Sequence, residues 1–252
     1  MITPPNLETR NLTMGHGKKS LCAPLDFSLQ PGQVAALLGR NGSGKTTLLL
    51  TLAGLMPPLT GEVIMRQEHL SAMKPLRRAR RVALMLSPRH LSETLCGREM
   101  VELGRWPHTS WHGRLSGQDH EKVLAAMKST GTLTCAEIPL GRLSDGERQK
   151  LCIARALAQE AEVLLLDEPL SHLDAPSRRE ILLLLRHLAE TGGKSVLFSC
   201  HELELAFRHA HQVLALLPDQ SWRTGTSQEV SSDSFCREAL GLEPLPFSPT
   251  LE

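Results

Sequence analysis

The stretch Gly39-Arg40-Asn41-Gly42-Ser43-Gly44-Lys45-Thr46 constrains this chain more than any other. It fits GxxxxGK[ST] without a mismatch, and it lies between an apolar run, Val34 to Leu38, and a segment from Thr46 to Leu55 that reads as a helix. Glycines at those positions let the backbone curl, so that successive N–H groups point inward at phosphate oxygens. Lys45 supplies a point charge for the β and γ phosphates, and the Thr46 hydroxyl can bind Mg²⁺. The helix that follows, with Thr47 in its first turn, adds the positive end of its dipole. A chance match of this length is expected in about one such chain in a hundred, and strand before with helix after is the context the pattern requires. The segment is a nucleotide-binding loop.

A second carboxylate-bearing segment supports it. Val163-Leu164-Leu165-Leu166-Asp167-Glu168 is four aliphatic residues followed by two acids. Such a run suits a strand covered on both faces, and ligands gather at the carboxyl ends of such strands. Alone it reads as an acidic turn after a core strand. Beside a phosphate loop, Asp167 becomes a candidate Mg²⁺ ligand and Glu168 a candidate base polarising a water for in-line attack on the γ-phosphate.

The rest of the chain sets these segments in a recognisable order. Leu7 to Met14, Leu25 to Leu29, Val34 to Leu38 and Arg81 to Leu86 read as strands. From about Arg89 to Gln159 the pattern becomes helical, clearest over Glu121 to Ser129 and Glu147 to Ala158. Strand and helix then alternate: Val163 to Leu166, Ser177 to Ala189, Ser195 to Ser199, Leu203 to His209, Val213 to Leu217. This is the pattern of an α/β fold with a mainly parallel sheet and a helical insertion.

Composition removes several function classes. Lys and Arg total 28 against 27 Asp and Glu, too balanced for a dedicated nucleic-acid binder. No apolar run approaches the roughly 18 to 20 residues that cross a bilayer, and the opening MITPPNLETR has no apolar signal region. The six scattered cysteines form no CxxC pair and read as reduced, mostly buried thiols. The basic run Lys74 to Arg81 reads as a solvated face, with anionic lipid as the other reading.

Two further segments carry a family resemblance. Leu143-Ser144-Asp145-Gly146-Glu147-Arg148-Gln149 precedes a helix and stands just before the Asp167-Glu168 strand, and Ser171-His172-Leu173-Asp174 and His201 follow it. In this order they resemble the signature motif, Walker B, D-loop and switch histidine of ATP-binding cassette (ABC) ATPases, over about residues 7 to 230. The resemblance implies one ABC ATPase domain over 1–252, with a P-loop NTPase (RecA-like) core at 1–88 and 160–252 and a helical subdomain at about 89–159. It implies ATP and Mg²⁺, and a head-to-tail homodimer in which the partner's signature segment closes each phosphate loop. Ser144 would offer a hydroxyl and Gly146 a backbone N–H there, at the start of a helix whose dipole favours phosphate. Asp145, Glu147 and Asp174 belong to the same closing surface, and His201 would bind the γ-phosphate and orient Glu168.

Four positions depart from the family pattern. Asp145 and Glu147 replace a glycine and the glutamine of LSGGQ, and Asp145 brings a negative charge toward phosphate unless solvent or a cation takes it up. Ser87 stands where a glutamine normally touches Mg²⁺ or the attacking water. Met14 stands where an aromatic residue normally stacks on adenine, and the chain has no tyrosine; its sulfur can pack on the purine face instead.

One phosphate loop, no sustained heptad and no membrane span make this similar to a stand-alone importer ATPase rather than an exporter or a DNA- or ribosome-acting cassette. Gly104-Arg105-Trp106-Pro107-His108, Trp111 and Gly113-Arg114-Leu115-Ser116 resemble the helical subdomain of importers for iron-siderophores, haem and cobalamin. Trp106 and Trp111 equally suit packing of that subdomain or a permease-facing groove. The resemblance implies two integral-membrane permease subunits, a substrate-binding protein acting indirectly, and a place on the cytoplasmic face of the bacterial inner membrane. A non-transport cassette acting on nucleic acid, or a regulatory subunit with little turnover, are the competing readings.

Overall fold

The computed structural model describes residues 4–17, 19–86, 92–110 and 112–232. Before the phosphate loop come β1 (Leu7–Thr13), the two-residue strands β2 (Gly15–His16) and β3 (Lys19–Ser20), β4 (Leu25–Leu29) and β5 (Val34–Gly39). After it come α1 (Lys45–Leu52), β6 (Thr60–Met65), β7 (Glu68–His69), α2 (Pro75–Ala79) and β8 (Val82–Met85). The middle of the chain is helical, with α3 (Gly97–Glu102), a 3-10 segment Leu103–His108, α4 (Gly117–Ser129) and α5 (Asp145–Ala158). Then follow β9 (Val163–Leu166), α6 (Ala175–Glu190), β10 (Ser195–Cys200), α7 (Leu203–His209), β11 (Gln212–Leu216), β12 (Trp222–Thr226) and α8 (Ser227–Ser232).

Six strands form the main sheet in the order β12-β11-β5-β10-β9-β8. All neighbouring pairs are parallel except β11 with β12. The central runs are buried on both faces, which is why they read as continuous aliphatic stretches rather than alternating ones. Their two-residue period still divides the core. Ala35, Leu37, Val163, Leu165 and Leu197 pack with α1 and residues of the four-stranded antiparallel sheet, whereas Val34, Ala36, Leu164, Leu166 and Phe198 face the helical side.

The second sheet is antiparallel, β4-β1-β6-β7. Strand β1 lies at its centre and is bulged between Thr9 and Leu12, with Asn11 at φ 45°. Sequence reading did not anticipate β6, whose Thr60-Gly61-Glu62 opening follows two prolines, nor the edge strand β12. Both gain their strand state from a neighbour, β1 and β11 respectively.

Helix α5 starts at Asp145, two residues ahead of the periodic run, because Ser144 caps it. Ser144 Oγ accepts from the Glu147 N–H at 3.3 Å, while a Glu147 carboxylate oxygen accepts from the Ser144 N–H at 2.8 Å. This reciprocal box needs an acceptor three residues past the cap, a role glutamate and glutamine share. Ser116 and Asp119 build the same box at α4. There Asp119 also accepts from the buried Arg105 at 2.9 Å, and Arg105 continues to the Ala158 carbonyl and Glu160. The 3-10 segment, α4 and the end of α5 are thereby locked together around one guanidinium. In the basic run, Arg77 pairs with Glu68, Arg81 with Glu162, and Arg80 donates to the Pro107 carbonyl.

Candidate nucleotide site

Three strand ends create the site. Because β10 lies between β5 and β9 in parallel, with Cys200 beside Leu38 and Phe198 beside Leu166, everything after those carboxyl ends converges. The phosphate loop leaves β5, Asp167-Glu168 leaves β9 and His201 leaves β10. A cavity of about 740 Å³ opens there, lined by Asn41, Gly42, Gly44, Lys45, Thr46, Thr47, Glu168, Ser171, Arg178, Ser199 and His201 among others.

Within the loop, Gly42 and Gly44 take φ 75° and 106°, values that L side chains rarely adopt. No side chain caps α1 at Gly44, so its first amides remain available at the cavity mouth. The Lys45 ammonium reaches back to the carbonyls of Gly39 and Arg40 at 2.9 and 3.1 Å. Burial pushes its pKa down, partly offset by the charges of Glu168 and Asp167. Among the described residues the buried Ser43 Oγ has no hydrogen-bond partner. A buried, unpaired hydroxyl in a loop that leads into an uncapped helix start is the complement of an anionic oxygen.

Thr46 Oγ1 donates to Asp167 Oδ2 at 2.7 Å. A hydroxyl and a carboxylate side by side are the hard oxygen donors that suit Mg²⁺, which typically takes only one or two protein ligands when it also binds phosphates. Among the described residues no cluster of three His, Cys, Asp or Glu could hold a metal unaided, so the pair fits a phosphate-bound cation. Ser87, the third expected metal contact, lies outside the described residues, as does Trp111.

Glu168 stands at φ 50°, where the chain turns away from the sheet. Its carboxylate is gripped by His201 Nε2 at 2.6 Å and by the Ser171 hydroxyl at 3.1 Å. Burial raises its pKa, but the hydrogen bond and charge of His201, with Ser171 and Lys45, outweigh that and leave it below the ordinary glutamate value. It is a carboxylate at neutral pH, able to accept a proton.

Two of the departures acquire a structural account. Asp145 is paired with Arg148 at 2.5 Å, and Arg148 is itself anchored on the carbonyls of Leu140 and Leu143. The added negative charge is therefore met by a cation in the next helical turn. Met14 is a correction to expectation: it is fully buried in the core beside Gly44, so it presents no face on which a base could stack. Ser144, Asp145, Gly146, Glu147 and Asp174 do not line the cavity. Ser144 and Asp174 serve as helix caps, Asp174 accepting from the Ser177 N–H at 3.0 Å.

Several polar cavity residues were not assigned to the site from sequence. Ser171 reads only as part of the D-loop stretch and Arg178 carries no motif; Arg178 pairs with Glu202 at 2.5 Å and its Nε is buried with no partner among the described residues. Ser199 had a signal: a hydroxyl directly after the apolar run Val196 to Phe198, two residues before His201. Gln149, in the signature segment, donates to the Pro169 carbonyl at 2.6 Å and ties α5 to the turn after Glu168.

A parallel sheet whose central strands end in a GxxxxGKT loop, an Asp-Glu pair and a histidine defines a nucleotide-binding P-loop ATPase. A family model described as ABC transporter matches residues 22–171. The chain is 36% identical over 248 residues to the achromobactin transport ATP-binding protein of Dickeya dadantii, covering 97% of this chain and 92% of that one. It is 33% identical over 237 residues to a petrobactin import ATP-binding protein of Bacillus anthracis, covering 94% and 87%. Among solved structures, a dimeric ATP-binding cassette in a post-hydrolysis state bound to ADP and Pi superposes with a TM-score of 0.74 at 25% identity, covering 88% of this chain and 98% of that one. The chain belongs to the ABC transporter family, and it is an ATPase of the cassette type.

Proposed function

We propose that this chain is the ATP-hydrolysing motor of an importer for an iron-siderophore, working as a homodimer beneath two integral-membrane permease subunits. The observation that carries the chemistry is the convergence of Lys45, Thr46, Glu168 and His201 on one cavity, with Asp167 hydrogen-bonded to Thr46 behind its wall. The cargo reading is supported by the achromobactin and petrobactin relatives and by the Gly104-Arg105-Trp106-Pro107-His108 stretch. Haem or a cobalamin-type chelate is the other cargo that stretch allows.

The loop amides and Lys45 bind and orient the phosphates. Thr46 and Asp167 would hold Mg²⁺, which when bound neutralises charge on the phosphate oxygens. Glu168 takes the proton of the attacking water, with His201 fixing its carboxylate. Within one chain the signature segment does not line the cavity, so in this reading Ser144 and Gly146 meet the phosphates from a second copy arranged head to tail. One self-complementary interface then completes two sites.

Trp106 is 66% exposed on a segment that Arg80 ties to α2, which suits a permease-facing groove. No helix among the described residues is long and apolar enough to cross a membrane. A peripheral position on the cytoplasmic face of the inner membrane follows from the permease partners, and cargo would arrive through a separate binding protein rather than by contact with this chain. Nucleic acid is not part of this reading.

The test is uptake of radiolabelled iron-siderophore, haem and cobalamin by a strain lacking this protein. Loss of one uptake, restored by wild type and not by Glu168→Gln, is the expected result. Unchanged uptake of all three with redundant systems removed overturns the cargo assignment.

A further inference from the structure

Glu168 is held at two ends. His201 and Ser171 hold its carboxylate, the Ser171 N–H holds its carbonyl at 3.2 Å, and Ser199 holds its backbone N–H. Ser199 Oγ accepts from the Glu168 N–H at 2.7 Å and donates to Asp167 Oδ1 at 2.7 Å. The Ser199 side chain is fully buried. A serine hydroxyl has one proton and two lone pairs, so this one oxygen can serve both neighbours at once.

The arrangement follows from strand register. Phe198 lies beside Leu166, which puts Ser199 opposite Asp167, one residue past the end of β9. On its other side the Asp167 N–H still bonds to the Met85 carbonyl at 2.7 Å. One residue later Glu168 turns to φ 50°, an unfavourable conformation for a side chain of this kind, and its N–H leaves the sheet ladder. Ser199 supplies the acceptor the ladder no longer offers. Removing it would leave a buried N–H and a carboxylate oxygen unpaired at the point where the strained residue is set.

We propose that Ser199 is a positioning residue for hydrolysis, its hydroxyl fixing the backbone of Glu168 and one oxygen of Asp167 so that base and metal-binding carboxylate stay in register. This rests on the reading of Glu168 as the base. Ser199 touches neither nucleotide nor water in this role; it acts through its two neighbours. A residue of this kind changes the rate more than nucleotide affinity, because small displacements of a base are costly to turnover while the phosphate loop is untouched.

The experiment compares wild type, Ser199→Ala, Ser199→Thr and Glu168→Gln as full-length chains, well below each variant's Tm. It reads kcat and KM for ATP with saturating Mg²⁺, and exchange of the Glu168 amide hydrogen with neither nucleotide nor metal present. Ser199→Ala is expected to lower kcat by about 10- to 100-fold with KM within about threefold. Its Glu168 amide should exchange at least about tenfold faster than in wild type. Ser199→Thr, which keeps the hydroxyl, should recover most of both. Wild-type kcat in Ser199→Ala beside an inactive Glu168→Gln overturns the role of Ser199 and leaves the base assignment standing. Near-normal kcat in Glu168→Gln overturns the base assignment itself, and this proposal with it. Equal losses in Ser199→Ala and Ser199→Thr, with Tm falling in both, would mark Ser199 as merely structural and also overturn the proposal.

Discussion

Thr46 Oγ1 and Asp167 Oδ2 lie 2.7 Å apart although 121 positions separate them in the chain. That contact joins the end of the phosphate loop to the end of β9 and brings together two oxygen donors suited to one cation. Thr46→Ala and Asp167→Asn should each abolish most of the Mg²⁺-dependent gain in ATP affinity, by about tenfold or more, while leaving metal-free nucleotide binding nearly unchanged. Calorimetric titration with and without Mg²⁺ checks this; an unchanged Mg²⁺ effect in both variants counts against the pair as ligands.

Glu168→Gln keeps the shape of the side chain and removes its basicity. Hydrolysis should fall by about 10²- to 10⁴-fold, the range associated with loss of a positioned base. ATP should still bind, and in the proposed head-to-tail arrangement, where the partner's signature segment would close over unhydrolysed nucleotide, the dimer should persist in ATP and Mg²⁺ by light scattering. A variant that stays monomeric under those conditions would contradict the head-to-tail arrangement.

Arg148 is the cation that meets Asp145, at 2.5 Å. Arg148→Ala should leave an unpaired negative charge in the segment proposed to face the other copy's phosphates, raising KM for ATP several-fold more than it lowers kcat. Adding Asp145→Asn should restore part of that loss, since the repulsion goes with the charge. Steady-state kinetics on the two single variants and the double variant check it; strict additivity would show that the pair is electrostatically idle.

Asp119 accepts from the Ser116 hydroxyl and N–H, and from Arg105, which together hold its carboxyl at about pH 2, down from 3.8. A depressed carboxylate pKa contributes stability that is complete above the ordinary value and disappears as pH falls through the folded one. The stabilising effect of Asp119 is thus present at neutral pH and is lost between about pH 4 and 2. Asp119→Asn should lower Tm at pH 7 by several degrees, since it leaves buried Arg105 with one fewer charged partner. The gap from wild type should close as the pH approaches 2. A gap that is constant with pH would place the effect in packing rather than in charge.

Much of the fold was legible along the chain because it rests on local rules. Val34 to Leu38, Val163 to Leu166 and Val196 to Phe198 are buried on both faces, so they are apolar throughout and separate cleanly from the amphipathic helices between them. The phosphate loop was legible for a similar reason, since its glycines and Lys45 are required by backbone conformation and charge within eight consecutive residues. Strands β6 and β12 were not, because a partly exposed strand such as Thr60–Met65 or Trp222–Thr226 takes its state from the strand it pairs with.

Which residues share the site was decided partly by sequence and partly by packing. The types and order of Lys45, Thr46, Asp167 and Glu168 pointed to the chemistry through their motifs, and His201 through the family resemblance, since each follows the carboxyl end of an apolar strand. Tertiary structure alone decided that Met14 belongs to the core, that Arg148 meets Asp145, and that Ser199 spans Asp167 and Glu168. Those outcomes depend on strand order and register, which place β10 between β5 and β9 and turn one particular face of each toward its neighbours. A linear pattern records which side chains alternate; it does not record what stands opposite them.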